Sequence, residues 1–494
     1  MDIEDIAKRR GFFWQSCEIY GGISGFYDYG PLGALLKLRI ENLIRDYYIK
    51  EENCLLIDAS LLTSENPWIA SGHVSSFSDM LTDCKECGQA YRADHLVEEK
   101  LDIKTEGMKV PEIQELMEKN KIKCPKCKGS LDKIYDYNLL FKSFIGSGKD
   151  KMPAIMRPET AQTIYMSFKR LFEIGRKKLP LGVIQIGKSF RNEISPRKAL
   201  VRLREFTQAE IQFFIHPKQK NEWNIDEIKD EELHVLTKDD QNGNKAKKVK
   251  IGELVKKKQM SSMIAYFLAK SVHLYSKMGI DEKKLRLRQH KDEERSFYSS
   301  DTWDVEFISD NYGKIELVGI ADRSDYDLKK HMEFSKADMR VDFEGEKFIP
   351  HVVEVSYGID RPLLCIMESC VKKDNDRVYF SFPPYVSPYQ IAVFPLVSKD
   401  GLPEKAKEVY NILEKEFFVL YDKGFIGKLY YRQDEAGTPF CITIDYETLK
   451  DNTVTIRHRD TQRQIRVSVN GIVGLMQKLV NNEIVFEKAG KVIK

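Results

Sequence analysis

No apolar run in this 494-residue chain approaches the ~18 residues that a membrane-spanning helix needs. The opening stretch, MDIEDIAKRRGFFW, has no apolar core of the secretory type. A cytoplasmic protein with no membrane partner is the expectation. Gly-x-Gly-x-x-Gly and Walker-type loops are missing too, which disfavours a Rossmann or P-loop nucleotide site. Nor is one charge in surplus: 79 Lys and Arg face 76 Asp and Glu, a net +3. So even a balance neither demands nor excludes a nucleic-acid partner, because such binding needs a local basic patch. With 31% charged and 42% apolar residues, the composition is that of an ordinary globular protein. The length predicts about two to four domains, each able to bury a substantial core.

What is present is concentrated in a few strands. Residues 189–194 (SFRNEI) and 202–214 (RLREFTQAEIQFF) read as antiparallel strands, and the loop between them (195–198, SPRK) adds two cations. Side chains two apart on a strand share a face. Arg191 and Glu193 are thus expected to point one way on the first strand. On the second, Gln208, Glu210 and Gln212 share a face, while Thr207, Ala209, Ile211 and Phe213 take the other. Such a polar face is costly to bury without ligands or partners. A salt-bridged surface hairpin is the plain alternative. The sharper reading is a floor that grips a polyanion and a small polar substrate. The pattern returns in residues 352–357 (VVEVSY), where Glu354 and Ser356 share a face ahead of Gly358 and Arg361. It returns again in residues 313–320 (GKIELVGI), where Glu316 interrupts an apolar strand.

Nine cysteines are present. Cys17, Cys54, Cys365, Cys370 and Cys441 stand among apolar neighbours and are expected to be buried thiols. Cys84-x-x-Cys87 and Cys124-x-x-Cys127 differ, sitting in knuckle contexts, CKECG and CPKCKG. Two such pairs suit one tetrahedral zinc ion held by four thiolates. Disulfides are the alternative, and the missing secretory signal argues against them. A helix over 110–120 (VPEIQELMEKN) is expected between the pairs. Four protein ligands leave no open coordination position, so the zinc is read as structural.

FRNE followed by REFTQAE resembles motif 2 of the class II aminoacyl-tRNA synthetases, and SYGIDR resembles motif 3. MRPETAQ (156–162), NEISP (192–196), ELVGIADRSDYDL (316–328) and RQDEAGTPFCIT (432–443) are similar to words of one branch, the homodimeric glycyl-tRNA synthetases of archaeal/eukaryotic-like type. The likeness runs from about residue 11 to about 482. It implies an α+β fold: an antiparallel-sheet catalytic domain with a zinc-binding insertion, then a C-terminal α/β anticodon-binding domain. It also implies ATP-dependent attachment of glycine to tRNA(Gly) through a glycyl-adenylate, releasing AMP and pyrophosphate, with Mg²⁺ as a further cofactor and a homodimeric state.

The expected organisation follows. Residues 1–77 open the catalytic domain; a helix over 31–50, with an apolar stripe of Leu32, Leu35, Leu36, Leu43, Ile44 and Tyr47, and a buried strand over 54–62 resemble the dimer-forming motif 1. Residues 78–150 form the zinc insertion, and 151–216 resume the catalytic domain. Residues 217–300 are a charged, then helical insertion, read as solvated up to 260; 301–385 complete the catalytic domain. The proline cluster 382–388 (FPPYVSP) is read as a linker. In 386–494, strands are expected at 390–396, 429–433, 440–444 and 453–457 and a helix at 402–415, in a mainly parallel core. Arg457, His458, Arg459, Arg463 and Arg466 gather there as a basic group.

The resemblance also implies roles. Arg191 holds the α-phosphate, Arg361 the γ-phosphate end, and Glu193 reads the adenine edge. Val201, Arg202 and Phe206 enclose the base, with Asn192, Leu317 and Gly358 beside the nucleotide. Glu316 and Glu354 carry magnesium, which prefers carboxylate oxygen. Glycine offers only its ammonium and its smallness, so Glu159, Glu210 and Ser356 supply the contacts. Phe206, Thr207, Gln208, Glu354 and Gly358 complete the substrate pocket, with Arg92 near the substrate carboxylate. Asp360 adds a negative charge where motif 3 has a small residue. Two rivals remain: a non-catalytic relative acting as a DNA-polymerase accessory subunit, disfavoured by Arg191 and Arg361, and a class II synthetase for proline, threonine or histidine, which needs a roomier, less acidic pocket.

Overall fold

The computed structural model describes residues 3–493 except 106, 195, 197, 198, 244, 245, 296 and 297. The loop cations Arg197 and Lys198 fall outside the described residues. Among those described, a nine-stranded sheet organises the first four-fifths of the chain. Its order is Lys247–Lys250, Glu232–Leu236, Leu285–Gln289, Asp301–Ser309, Gly313–Ser324, His351–Gly358, Glu205–Ile215, Leu181–Phe190 and Leu55–Leu56. All neighbours are antiparallel except 232–236 with 285–289 and 181–190 with 55–56.

Strand parity explains the layering. Ala209, Ile211, Phe213, Val353, Val355, Tyr357, Val318 and Ile320 occupy one face and are buried with the helices Pro31–Lys50, Ser262–Lys277 and Asp360–Cys370 in one apolar core. The other face carries Gln208, Glu210, Glu354, Ser356, Gly319 and Asp304, which line a cleft. Helix Pro31–Lys50 lies where expected; Leu32, Leu36, Ile44 and Tyr47 are buried, joined by Ile40 and Tyr48. Leu35 and Leu43 are only half-buried.

Several expectations give way to tertiary packing. The strand Leu181–Phe190 ends before Arg191, so Arg191 and Glu193 sit on the loop beyond it. The buried strand expected over 54–62 is two short ones, Leu55–Leu56 and Leu62–Ser64, and Leu56, Leu61 and Leu62 are exposed. Cys17, expected buried, is exposed. Residues 217–260, read as solvated, supply Glu232–Leu236 and Lys247–Lys250 at the sheet's edge, with Ile228, Leu233, Val235, Ile251 and Leu254 in the core. Leu233 and Val235, and Val249 and Ile251, alternate with polar or charged residues in a segment whose lysine-rich composition hides them. Residues 285–289, expected within that insertion, are a central strand.

The proline cluster is packed rather than a loose linker. Phe382 stacks on Phe380, with ring centroids 5.0 Å apart, and Phe382, Val386 and Ser387 are buried. Beyond it, Ile391–Pro395, Val419–Tyr421 and Phe440–Ile444 pair in parallel, and Thr453–His458, Gln464–Ser468 and Lys491–Ile493 continue antiparallel. The core is therefore mixed, not mainly parallel. Residues 429–433, expected as a strand, lie in helix Ile426–Ala436. The parallel partner is Val419–Tyr421, too short to stand out in the sequence.

A separate unit follows Phe77. Strands Ser78–Asp83, Ala90–Arg92 and Tyr135–Asn138 form a small sheet with helices Ala93–Leu101 and Val110–Lys119 packed on Ile113 and Met117. The helix expected over 110–120 is there.

Candidate active site

The cleft, of about 260 Å³, lies on the polar face of the sheet between Arg191 and Arg361. Arg191 donates to the Pro158 carbonyl at 3.1 Å and sits over the Phe206 ring, 5.2 Å from its centroid. Arg361, in the first turn of helix Asp360–Cys370, donates to the Val201 carbonyl at 2.9 Å and to the Glu316 carbonyl at 3.0 Å. Two guanidiniums are thus anchored through backbone oxygens and keep donors for an anionic ligand. Glu193, Val201, Arg202 and Phe206 line the wall between them, with Leu317 and Gly358 on the floor. A Cβ at Gly319 would stand 3.6 Å from Glu316 Oε1 and 3.7 Å from Asp304 Oδ1, so glycine keeps this floor low.

Asp304 was not foreseen. It is buried, receives His290 Nε2 at 2.6 Å, and has its carboxyl pushed up to about 6 by burial and by the charge of Glu316. Glu316 and Asp304 therefore form the acidic pair of this end. Glu354, expected beside Glu316, is not: it stands opposite Ala321 in register, whereas Glu316 stands opposite Glu306. Its carboxylate instead takes Arg323 at 2.8 Å.

The deeper end holds the acids. Register places Glu210 opposite Ser356 and Gln212 opposite Glu354. Glu210 accepts from the Ser356 hydroxyl at 2.8 Å and from the Gln208 and Gln212 amides at 3.2 Å each. Burial first, then the charges of Glu354 and Glu159, hold its carboxyl well above the usual range. Glu354 is also raised by burial, opposed by Arg323. Glu159 lies low despite burial, because His73 stands 3.5 Å away. Arg323 also pairs with Asp327 at 2.7 Å and lies 3.8 Å from the centroid of the Tyr298 ring.

Arg323, Asp327 and His73 escaped the sequence reading. A signal existed for Arg323: Leu317, Gly319 and Ala321 line the cleft, and Arg323 follows at the same spacing. His73 had none, since it comes from the helix His73–Ser76 far upstream. Two expected residues lie outside the cleft's lining: Arg92 pairs with Asp79 at 3.1 Å and Asp94 at 2.5 Å, and Asn192 donates to the Tyr137 hydroxyl at 2.6 Å. Thr207 lies in the wall, but its hydroxyl accepts from Lys37 at 2.5 Å, behind the sheet.

The charge on Asp360 finds its explanation here. Asp360 accepts from the Thr207 amide at 2.6 Å and from the Tyr29 hydroxyl, with Lys37 Nζ 3.6 Å away. It lines the cleft, but its carboxylate is engaged by these contacts, which tie the helix Pro31–Lys50 to the two motif-bearing strands.

In the small unit, all four sulfurs of Cys84, Cys87, Cys124 and Cys127 lie within 4.8 Å of one another. Cys84 and Cys127 sulfurs are 3.3 Å apart, Cys87 and Cys124 3.7 Å. Four thiolates ~2.3 Å from a shared zinc require about such separations. A Cβ at Gly129 would meet Cys127 Sγ at 3.1 Å and Glu86 Oε2 at 2.1 Å, so a larger residue would crowd the knuckle and displace the Glu86 side chain. The donor set fits zinc.

The antiparallel sheet, its two anchored arginines and the appended mixed α/β domain define a class II aminoacyl-tRNA synthetase. The tRNA synthetase class II core family (G, H, P, S and T) matches residues 147–234, and the anticodon binding domain family matches 390–479. Prolyl-tRNA synthetase from Cryptosporidium parvum, solved with halofuginone and AMPPNP, shares the fold at TM-score 0.60 and 14% identity, over 97% of this chain and 75% of that one. Glycine–tRNA ligases of Methanococcus vannielii and Thermococcus sibiricus are each 41% identical, over 96% and 97% of this chain and 99% and 98% of theirs. That of Pyrococcus furiosus is 40% identical over 97% of this chain. The chain belongs to the glycine–tRNA ligase family.

Proposed function

We propose that this protein attaches glycine to tRNA in an ATP-dependent reaction through a glycyl-adenylate, and that the cleft just described performs the activation. The observation that carries the reading is a buried acidic end next to two anchored arginines: a small cation binds at one side, a polyphosphate at the other. Glycine's carboxylate is already ionised, so attack on the α-phosphorus of ATP needs no general base. In-line placement and cationic stabilisation of the phosphate charge supply the catalysis. Arg191 holds the α-phosphate, Arg361 the far phosphates, and Glu193, Val201, Arg202 and Phe206 the adenine. Glu210 and Ser356 take the ammonium, and Glu159, Glu354 and Gln208 narrow the space around it.

Glu316 and Asp304 would hold magnesium, a hard ion suited to carboxylates, which screens phosphate charge when bound. The four cysteines would hold a structural zinc. The mixed C-terminal domain binds the tRNA anticodon arm, and the exposed Leu56, Leu61 and Leu62 beside the helix Pro31–Lys50 pair two copies into a homodimer. No helix among the described residues is long and apolar enough to cross a membrane, and the reaction belongs in the cytoplasm with translation.

Amino-acid-dependent ATP–pyrophosphate exchange tests the assignment. Glycine should support exchange and proline, threonine, histidine and serine should not. Exchange with any of these four in place of glycine would overturn it.

A further inference from the structure

Three carboxylates face the deep end of the cleft, and their partners differ. Glu354 has Arg323 at 2.8 Å and Glu159 has His73 at 3.5 Å. Glu210, 2% exposed, is hydrogen-bonded among the described residues only by neutral groups: the Ser356 hydroxyl and two side-chain amides. The Gln212 amide nitrogen donates to Glu210 at 3.2 Å and to Glu354 at 3.1 Å, so a single amide bridges two acids. That amide cannot turn away, because its oxygen accepts the Tyr165 hydroxyl at 2.7 Å.

The elements packed around Glu210 bring charges of their own. Strand His351–Gly358 brings Glu354. Strand Gly313–Ser324 brings Arg323, which Asp327 of the next helix already shares, at 2.7 Å. The turn before helix Ala161–Ile174 brings Glu159, and helix His73–Ser76 brings His73. Behind them His331 is hydrogen-bonded to the Gln162 side chain at 2.9 Å. From the neighbouring strand, the residue opposite Glu210 is uncharged Gln185. Four buried carboxylates thus share one arginine, which makes two contacts to acids other than Glu210. Close, desolvated like charges do not all ionise together.

We propose that Glu210 carries a proton while the pocket is empty, and that the substrate's ammonium enters in exchange for it, one proton passing to solvent for each glycine bound. No covalent bond changes: a neutral carboxylic acid becomes a carboxylate paired with the ammonium. The Gln208 side-chain oxygen, buried and without a donor, is a further acceptor at the same spot. The raised carboxyl of Glu210, driven by burial and by Glu354 and Glu159, agrees with this geometry. The exchange gives the pocket a device against futile desolvation, since it is never left with an uncompensated buried anion. It rests on glycine being the substrate.

The experiment is the pH dependence of glycine-dependent pyrophosphate exchange by the full-length protein. One exchanged proton makes the KM for glycine fall by up to about tenfold per pH unit on the acid side of the Glu210 titration and level off above it. The KM for ATP should not follow that slope. Glu210→Gln should bind glycine more weakly and lose the slope, which a purely structural role would not do. Calorimetry of glycine binding to the unmodified protein, in buffers of different ionisation heat, should count about one proton released on the acid side and none above it. Pyrophosphate exchange with a flat glycine KM, a slope retained in Glu210→Gln, or no proton release at any pH would overturn the proposal while leaving glycine activation standing. Absence of glycine-dependent exchange at every pH would remove the substrate reading and the proposal with it.

Discussion

The cleft and the C-terminal domain both bury clusters of charge, but they settle them differently. In the C-terminal domain, Asp434 receives Arg457 in a two-pronged pair at 2.8 and 3.0 Å, with Arg377 at 3.4 Å. Arg459 spends its donors on the Gly437 and Phe382 carbonyls, at 2.7 and 2.9 Å, and on Asp460. Glu435 takes Arg9 at 3.2 Å and Arg10 as well, joining the N-terminal helix Ile3–Arg10 to this domain. Each of these anions has a cation in the chain. Among the described residues Glu210 in the cleft has none, and in the small unit the four sulfurs lie within 4.8 Å of one another in a donor set that suits a metal ion. Clusters that close on themselves hold the fold; clusters left open mark places where something from outside belongs.

The basic group of the C-terminal domain is mostly of the closed kind. Arg457 and Arg459 are buried and fully engaged, so they are not available for phosphate. Arg466 pairs with Asp445 and with Glu447 at 3.0 Å. Arg463 alone of the four arginines is mostly exposed, 2.9 Å from Glu487.

The largest effect is expected where an open cluster holds a unit's fold together. Chelation, or Cys124→Ser, should unfold residues 78–150 cooperatively, because metal binding and folding are one process in such a unit. Hydrogen exchange should show the loss there and leave the nine-stranded sheet protected. Metal-free protein with full protection in this segment would place the four cysteines among closed clusters.

Breaking a closed cluster comes next. Arg457→Ala leaves Asp434 buried beside only Arg377, and losing one partner of a buried pair costs about 3–5 kcal/mol. Denaturant melting should show that loss in the C-terminal domain. Removing the whole cluster with Arg457→Met, Arg377→Met and Asp434→Leu should recover most of it, since the penalty lies in the stranded charge. Failure of the triple variant to recover would show the cluster doing more than neutralising itself.

Glu210→Gln is the counterpart in the open cluster. It should weaken glycine about ten- to a hundredfold, the worth of one hydrogen bond to a charged group, ~1.5–3 kcal/mol. Stability should not fall, because the amide imitates the neutral acid that burial favours. Unchanged glycine KM in exchange assays would take Glu210 out of the substrate shell.

Smallest is Arg463→Ala. An exposed pair adds little to stability, so melting should not shift measurably. If Arg463 touches a tRNA phosphate, the slope of log affinity against log salt should drop by about one. A clear stability loss would move Arg463 to the closed set.

Much of the architecture was legible in order of residues alone. Alternation along 205–215 and 351–358 determined which side chains face the cleft, because a strand repeats every two residues wherever it lies. The apolar stripe marked helix Pro31–Lys50, and the cysteine spacing marked four neighbouring sulfurs. Lysines hid the edge strands of 232–250, and the prolines of 382–388 looked like a linker, since composition does not tell what packs on top. Above all, the sequence could not say which charges are spent. Arg323 meets Glu354 from a neighbouring strand, Lys37 meets Asp360 from the opposite end of the catalytic domain, and Arg457 meets Asp434 across a helix. The cost of a buried charge depends on what lies within a few ångströms of it, and that distance is set by the tertiary fold.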